Sequence, residues 1–180
     1  PETPAQRLAT YRRLAAEDNP QAENALYAMG RIYRDQLGDD REALATFERY
    51  RIRYPNGRLR AETDVFIVET LTRLRETSRA LDEAKRFLAQ HPRSERRAEV
   101  ARLAGDLLRA KGDCRQAVGF YTAAAGARSA RGDVAEASAF QQAWCLRALG
   151  EPGARVALER YLRDHPNGRH VDEARRMLAE

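Results

Sequence analysis

The sequence predicts an all-α fold, a solenoid of antiparallel helix pairs with a period of 37 residues. Three observations predict it. Ala43, Ala80, Ala117 and Ala154 stand 37 residues apart, and neighbouring columns keep the same step. Within each repeat, apolar residues recur at the three-four spacing of one helical face. Alternation with period two, the mark of a half-buried strand, is never sustained.

The columns extend well beyond the alanines. Tyr50, Phe87, Ala124 and Tyr161 form one; Tyr54, His91, Arg128 and His165 another; Pro55, Pro92, Ser129 and Pro166 a third. Met29, Phe66, Leu103 and Phe140 also keep the step, as do Glu62, Glu99, Glu136 and Glu173. A repeat of this length reads as one helical hairpin that cannot bury its apolar stripe alone, so stacking of neighbours supplies the core.

Taken in order, the elements are an N-terminal helix at about 5–17, hairpins at about 21–54, 59–91, 95–130 and 134–165, and a last helix at about 169–179. Together they make a single domain spanning 1–180. In the first hairpin the stripes are Leu26, Met29, Tyr33 and Leu37, then Ala43, Leu44, Phe47, Tyr50 and Tyr54. Ala80, Leu81, Ala84, Phe87 and Leu88 repeat the second stripe, as do Ala154, Ala157, Leu158, Tyr161 and Leu162. Ala137, Phe140, Trp144 and Ala148 repeat the first. Asp39, Asp113 and Asp133, each with Glu or Gln three residues on, have the spacing of capping boxes. Gly38, Gly112, Gly132 and Gly150 sit where a preceding helix ends. Proline stops the second helices at Pro55, Pro92 and Pro166.

Composition bounds the function. The net charge is +5, with 32 basic residues interspersed among 27 acidic ones and no block of like charge. That distribution argues against nucleic acid as the principal partner. No apolar run approaches the ~18 residues that span a bilayer, so the chain carries no transmembrane segment. It opens Pro1-Glu2-Thr3-Pro4 rather than on Met. This reads as a fragment or processed form, with room upstream for a signal, an anchor or another domain.

These residues resemble tetratricopeptide repeats. The first hairpin matches that pattern best, through Leu26, Met29, Gly30, Tyr33, Ala43, Phe47 and Pro55. Tyr50 replaces a small residue of the pattern, and 37 residues is longer than the family's usual repeat of about 34. The resemblance implies a right-handed superhelix with a concave groove lined by the first helix of each pair. The linkers Tyr54-Pro55-Asn56-Gly57-Arg58, His91-Pro92-Arg93-Ser94-Glu95 and His165-Pro166-Asn167-Gly168-Arg169 are similar to those of bacterial envelope tetratricopeptide proteins. Examples are the outer-membrane assembly lipoprotein and the periplasmic coordinator associated with the Tol-Pal system. Carried onto this chain, the groove positions are Asn24, Tyr27, Arg31 and Arg34 in the first hairpin. Asp64 and Val68 follow in the second, and Ser138 and Gln142 in the fourth. Arg31 and Arg34 have the forked chemistry to grip a peptide carboxylate; the alternative is that both are simply solvated.

Catalytic patterns are weak. His91 and His165 share a column with Tyr54 and read as packing residues ahead of a proline. The repeating Glu62, Glu99, Glu136 and Glu173 read as helix-start charges complementing the macrodipole. There is no His-Glu-x-x-His, no phosphate-cradling glycine motif and no Gly-x-Ser-x-Gly. No metal site and no cofactor are expected. Cys114 and Cys145 fall at one edge of adjacent layers, where a disulfide and two free thiols are both open readings. A bond would favour an oxidising compartment.

The expected function is thus a non-catalytic protein–protein interaction scaffold in a bacterial cell-envelope complex, periplasmic or envelope-associated, binding a protein or peptide. The alternatives are a regulatory or sensory module of a larger signalling or transcription-regulating protein, a cytoplasmic setting, and a nucleic-acid binder through convex-face arginines. Self-association is left open.

Overall fold

The computed structural model describes residues 2–17, 20–128 and 130–179. All regular elements among them are helical. In order they are α1 (Pro4–Ala16), α2 (Ala22–Ile32) continued by a π-helical turn (Tyr33–Leu37), α3 (Asp40–Arg53), α4 (Arg60–Arg73), α5 (Thr77–Gln90), α6 (Arg97–Ala110), α7 (Cys114–Ala125), α8 (Gly132–Ala148), α9 (Ala154–Asp164) and α10 (Val171–Ala179). The chain divides into two compact units, Pro1–Glu83 and Ala84–Glu180.

Local chemistry accounts for most boundaries. Asp39 accepts from Glu42 N at 3.0 Å and opens α3, and Asp113 accepts from Gln116 N at 3.0 Å and opens α7. Thr3 and Gln6 make a full capping box at α1. Asp133 does not cap: α8 already begins at Gly132, with Arg131 before it and no side-chain cap bond.

Gly38, Gly112 and Gly150 take φ of 65°, 78° and 67° at the turns inside three hairpins. The corresponding turn in the second hairpin uses Arg75, at φ 60°. A residue with a Cβ costs roughly 1–2 kcal/mol there. Glycine gives back part of that gain through chain entropy. Arg75→Gly is therefore expected to stabilise the protein by about 0.5–1 kcal/mol, read as a raised urea midpoint at constant slope.

The core of the first unit is built from Leu26, Met29, Phe47, Tyr50, Phe66, Ile67 and Leu71, all buried. Phe47 and Phe66 stack with centroids 5.4 Å apart. In the second unit, Phe140, Leu158, Tyr161, Val171 and Ala174 form a buried cluster that Trp144 and Met177 partly cover. The alanine column is fully buried at Ala43, Ala80 and Ala117, where a larger side chain would hold the helices apart.

Candidate partner-binding faces

In the first unit, α2 and α4 set side chains of opposite character edge to edge. The Arg34 guanidinium lies 4.0 Å from the centre of the Phe66 ring, and that of Arg31 lies 5.3 Å from it. Arg34 also binds Glu69 at 2.6 Å and Asp35 at 2.7 Å, while Arg31 binds Asp35 at 2.6 Å. Burial opposes ionisation of Asp35, but hydrogen bonds from Arg31 and Arg34 outweigh it and hold the carboxyl below its ordinary range. Tyr27 is half-buried, its ring 5.8 Å from that of Phe66, and Asn24 is exposed.

Asp64 and Val68 do not line this face. Val68 is fully buried in apolar packing. Asp64 is buried as well, held by Arg60 at 2.9 Å and approached by Arg51 at 3.8 Å. Arg34 is not waiting for a carboxylate, because Glu69 and Asp35 already engage it; Arg31 keeps about half of its side chain in solvent.

In the second unit, Ser138 is fully buried and donates to the Val134 carbonyl at 2.6 Å, so it too is removed from any surface. Gln142 donates to Thr122 Oγ1 at 2.8 Å and lines a groove of about 520 Å³ between α7, α8 and α9, which Leu146, Val156 and Ala157 also line. The side chains that meet across α6 and α8 are others. Arg109 lies 5.4 Å from the centre of the Trp144 ring. Asp106 accepts from the Tyr121 hydroxyl at 2.8 Å and pairs with Arg102 at 2.5 Å. Arg147, one turn beyond Trp144, donates to the Met177 carbonyl.

A register slip explains the difference. The second helices keep the 37-residue step, but the first helices drift against it. Gly30 lies beneath Phe47 and Gly105 beneath Tyr121; the glycines are 75 residues apart and the rings 74. Glu23 accepts from the Tyr50 hydroxyl and Glu136 from that of Tyr161; the acids are 113 residues apart and the tyrosines 111. The first hairpin spends extra residues between its partners, and its π-helical turn is where such insertions are accommodated. A strict step carries Arg31 onto Gln142 and Arg34 onto Cys145. The observed slip carries them onto Trp144 and Arg147. The legible signal was the pairing of Gly30 and Gly105 with their rings.

That pairing is testable. A Cβ on Gly30 would lie 2.5–2.8 Å from three atoms of the Phe47 ring. Helix propensity favours Ala over Gly by about 1 kcal/mol, but a clash with a buried ring costs roughly 1–3. Gly30→Ala is expected to destabilise by about 1–2 kcal/mol, and Phe47→Leu in the same chain to recover part of it, measured by chemical denaturation.

Glu136 is not a helix-start charge on the surface. It is buried, with the Tyr161 hydroxyl 2.5 Å from its Oε1. The histidines pack on rings: His91 against Phe87, His165 against Tyr161, and His170 stacked on Phe140 at 4.2 Å. Cys114 and Cys145 are buried and disulfide-bonded, with Cα atoms 5.1 Å apart. The bond ties the first residue of α7 to α8, beside Trp144. Among the described residues no cluster of three or more His, Cys, Asp or Glu could hold a metal ion, and no helix is long and apolar enough to cross a membrane.

The tetratricopeptide repeat family model matches residues 24–57 and 136–168, the hairpins α2–α3 and α8–α9. No curated protein matches the sequence. Among solved structures, the fold is similar to that of MamA, at 15% identity over 91% of this chain and 89% of that one, with a TM-score of 0.71. It is similar to BtubC (BKLC) from P. vanneervenii, at 15% identity over 91% and 71%, TM-score 0.66. It is also similar to the nearly identical TPR-like repeats of a Podosopora anserina putative kinesin light chain, at 14% identity over 94% and 100%, TM-score 0.63. At such identities the likeness concerns the fold. The two matched hairpins and the shared fold support the tetratricopeptide class of helical-repeat protein.

Proposed function

We propose that this chain is a non-catalytic scaffold that binds a protein partner on the faces formed by α2 with α4 and by α6 with α8, within a bacterial cell envelope. The observation that carries this reading is what those faces offer. Tyr27, Arg31, Arg109 and Trp144 are anchors of the kind that dominate protein interfaces, and they stand at the surface of rigid helices. The residue types that serve acid–base chemistry elsewhere have structural employment here. The histidines stack on rings, and Glu23 and Glu136 hold tyrosine hydroxyls. The buried disulfide supports an oxidising compartment, and the periplasm is the one that agrees with the linker resemblance.

Affinity capture from fractionated extracts of the source organism, at moderate and high salt and with nuclease, tests the reading. A stoichiometric envelope protein that survives both treatments supports it. Recovery only of nucleic acid, lost as salt rises, overturns it.

A further inference from the structure

We infer that the linkers between hairpins form, at one edge of the second unit, a docking surface for an anionic lipid membrane, with Arg93, Arg128, Arg131 and Arg169 as its contacts. The inference goes beyond the scaffold reading, because it concerns another surface and a second kind of partner.

The charge of the chain is unevenly placed. The first unit holds 14 basic and 15 acidic residues, and the second holds 18 basic and 12 acidic, so the whole positive excess lies in the second. Within it, the linkers 91–96, 126–131 and 165–170 hold five arginines and one acid, Glu95. The turns inside its hairpins, 111–113 and 149–153, hold Lys111, Asp113 and Glu151. Consecutive helices of the unit run antiparallel, so the three linkers come to one edge and the two turns to the other. The start of α8 and residues 165–169 line one open pocket at the linker edge. Helices α6, α8 and α10 begin at this edge while α7 and α9 end at it, so their dipoles oppose one another and the side chains set the sign.

Four of the five arginines are unengaged. Arg96 binds Glu99. Near the same edge, Asp164 is taken by Arg160 and Arg163, and Asp172 by Arg175. Arg93, Arg128, Arg131 and Arg169 are exposed, and no carboxylate among the described residues lies within ion-pair distance of them. Against them stand two exposed acids, Glu95 and Asp133.

The shape of the edge selects the partner. The four arginines sit on three separate turns, beside exposed Pro92, Pro166 and Asn167. A planar array of phosphate headgroups meets all three turns at once, and the guanidinium fork matches a phosphate. The pocket between the turns is walled by Asp133 and Glu136, which repel an acidic peptide entering it. Nucleic-acid bases need free aromatic faces to stack on. The histidines of these linkers are packed on the protein's own rings, His91 on Phe87, His165 on Tyr161 and His170 on Phe140. The buried disulfide supports an oxidising compartment, where phosphate is met on lipid surfaces and not on nucleic acid.

Flotation of the purified, oxidised full chain with vesicles tests the assignment. One set is phosphatidylglycerol and phosphatidylcholine in equal parts, the other phosphatidylcholine alone. The expected result is binding to the anionic vesicles only, lost as salt rises. A basic residue near such a surface is worth about fivefold in binding, so Arg128→Gln with Arg131→Gln weakens it about twentyfold. Arg93→Gln with Arg169→Gln, in the other two linkers, does the same. Lys111→Gln with Arg115→Gln removes equal charge near the opposite edge and leaves binding within about twofold. No binding to anionic vesicles, equal binding to neutral ones, or equal loss from the opposite-edge variant would each overturn the assignment. So would tighter binding of a single-stranded oligonucleotide or of a Glu-rich peptide than of the anionic vesicles. The vesicle comparison uses the unaltered protein and no protein partner. Its failure removes the membrane contact and leaves the scaffold reading standing, whereas failure to capture any protein removes the scaffold reading and leaves the vesicle result.

Discussion

Reduction of the Cys114–Cys145 bond is expected to lower the stability of the protein by about 3–4 kcal/mol. The bond closes a loop with a sequence separation of 31. In the chain-entropy model, cross-links over about 15 and about 100 residues are worth roughly 3 and 4.7 kcal/mol, and this loop falls between them. Both sulfurs are buried, so breaking the bond also places two thiols in an interior that packs around a joined pair. The loop contains all of α7 and most of α8, so the loss falls on packing inside the second unit. The check is urea denaturation with and without reductant, beside the Cys114→Ser, Cys145→Ser double variant. The double variant should unfold at the midpoint of the reduced protein and ignore reductant. An unchanged midpoint on reduction, or two titratable thiols in the oxidised protein, would show that the bond does not contribute.

Much of the fold was legible in the sequence, for identifiable reasons. Helix starts were readable at Asp39 and Asp113, because a side-chain oxygen three residues before a free N–H has one good geometry. Helix ends were readable at Gly38, Gly112 and Gly150, because positive φ favours glycine strongly. Arg75 shows the limit of that signal: the same turn was built without the residue that announces it.

The candidate face was less legible. Transfer of a residue by equal steps holds only where both helices of a hairpin keep one period, and nothing physical requires this. What must be conserved in a hairpin is the contact between its helices, and a π-helical turn or a shorter loop changes the count while preserving the contact. Residues transferred by counting therefore fell into the core at Val68 and Ser138, and Arg109 was passed over; Trp144, read as a packing residue, does pack against the Phe140 cluster and also meets Arg109. Glu136 was misread for a related reason. A carboxylate near a helix start is usually solvated, but α8 begins early enough to put Glu136 beyond its first turn, and its burial is visible only once Tyr161 is known to reach it.

That bond carries the second large expectation. Tyr161 is buried, donates to Glu136 Oε1 at 2.5 Å and accepts from the His170 N–H at 3.1 Å. Tyr161→Phe keeps the ring and removes one oxygen, leaving a buried carboxylate oxygen without its donor and a backbone N–H without its acceptor. Each such loss costs about 1–3 kcal/mol, so a destabilisation of about 2–4 kcal/mol is expected. The site also sets a pH dependence. Burial, then the bond to Glu136, pushes the Tyr161 hydroxyl up to about 12 from its ordinary value of 10. Above pH 10 the unfolded chain gives up this proton while the folded protein keeps it, so the unfolded state binds fewer protons and stability falls as pH rises. The contribution is complete below pH 10 and is lost by about pH 12. Tyr50 and Tyr121 are raised in the same direction, so the unaltered protein should lose stability steeply over that window. Tyr161→Phe should start from a lower plateau and fall less, because one of the three titrations is gone. Parallel curves for the two proteins between pH 9 and pH 12 would mean that the hydroxyl is not held by Glu136 in the folded state. A lower plateau with an unchanged slope would assign the loss to packing around the ring and not to the bond.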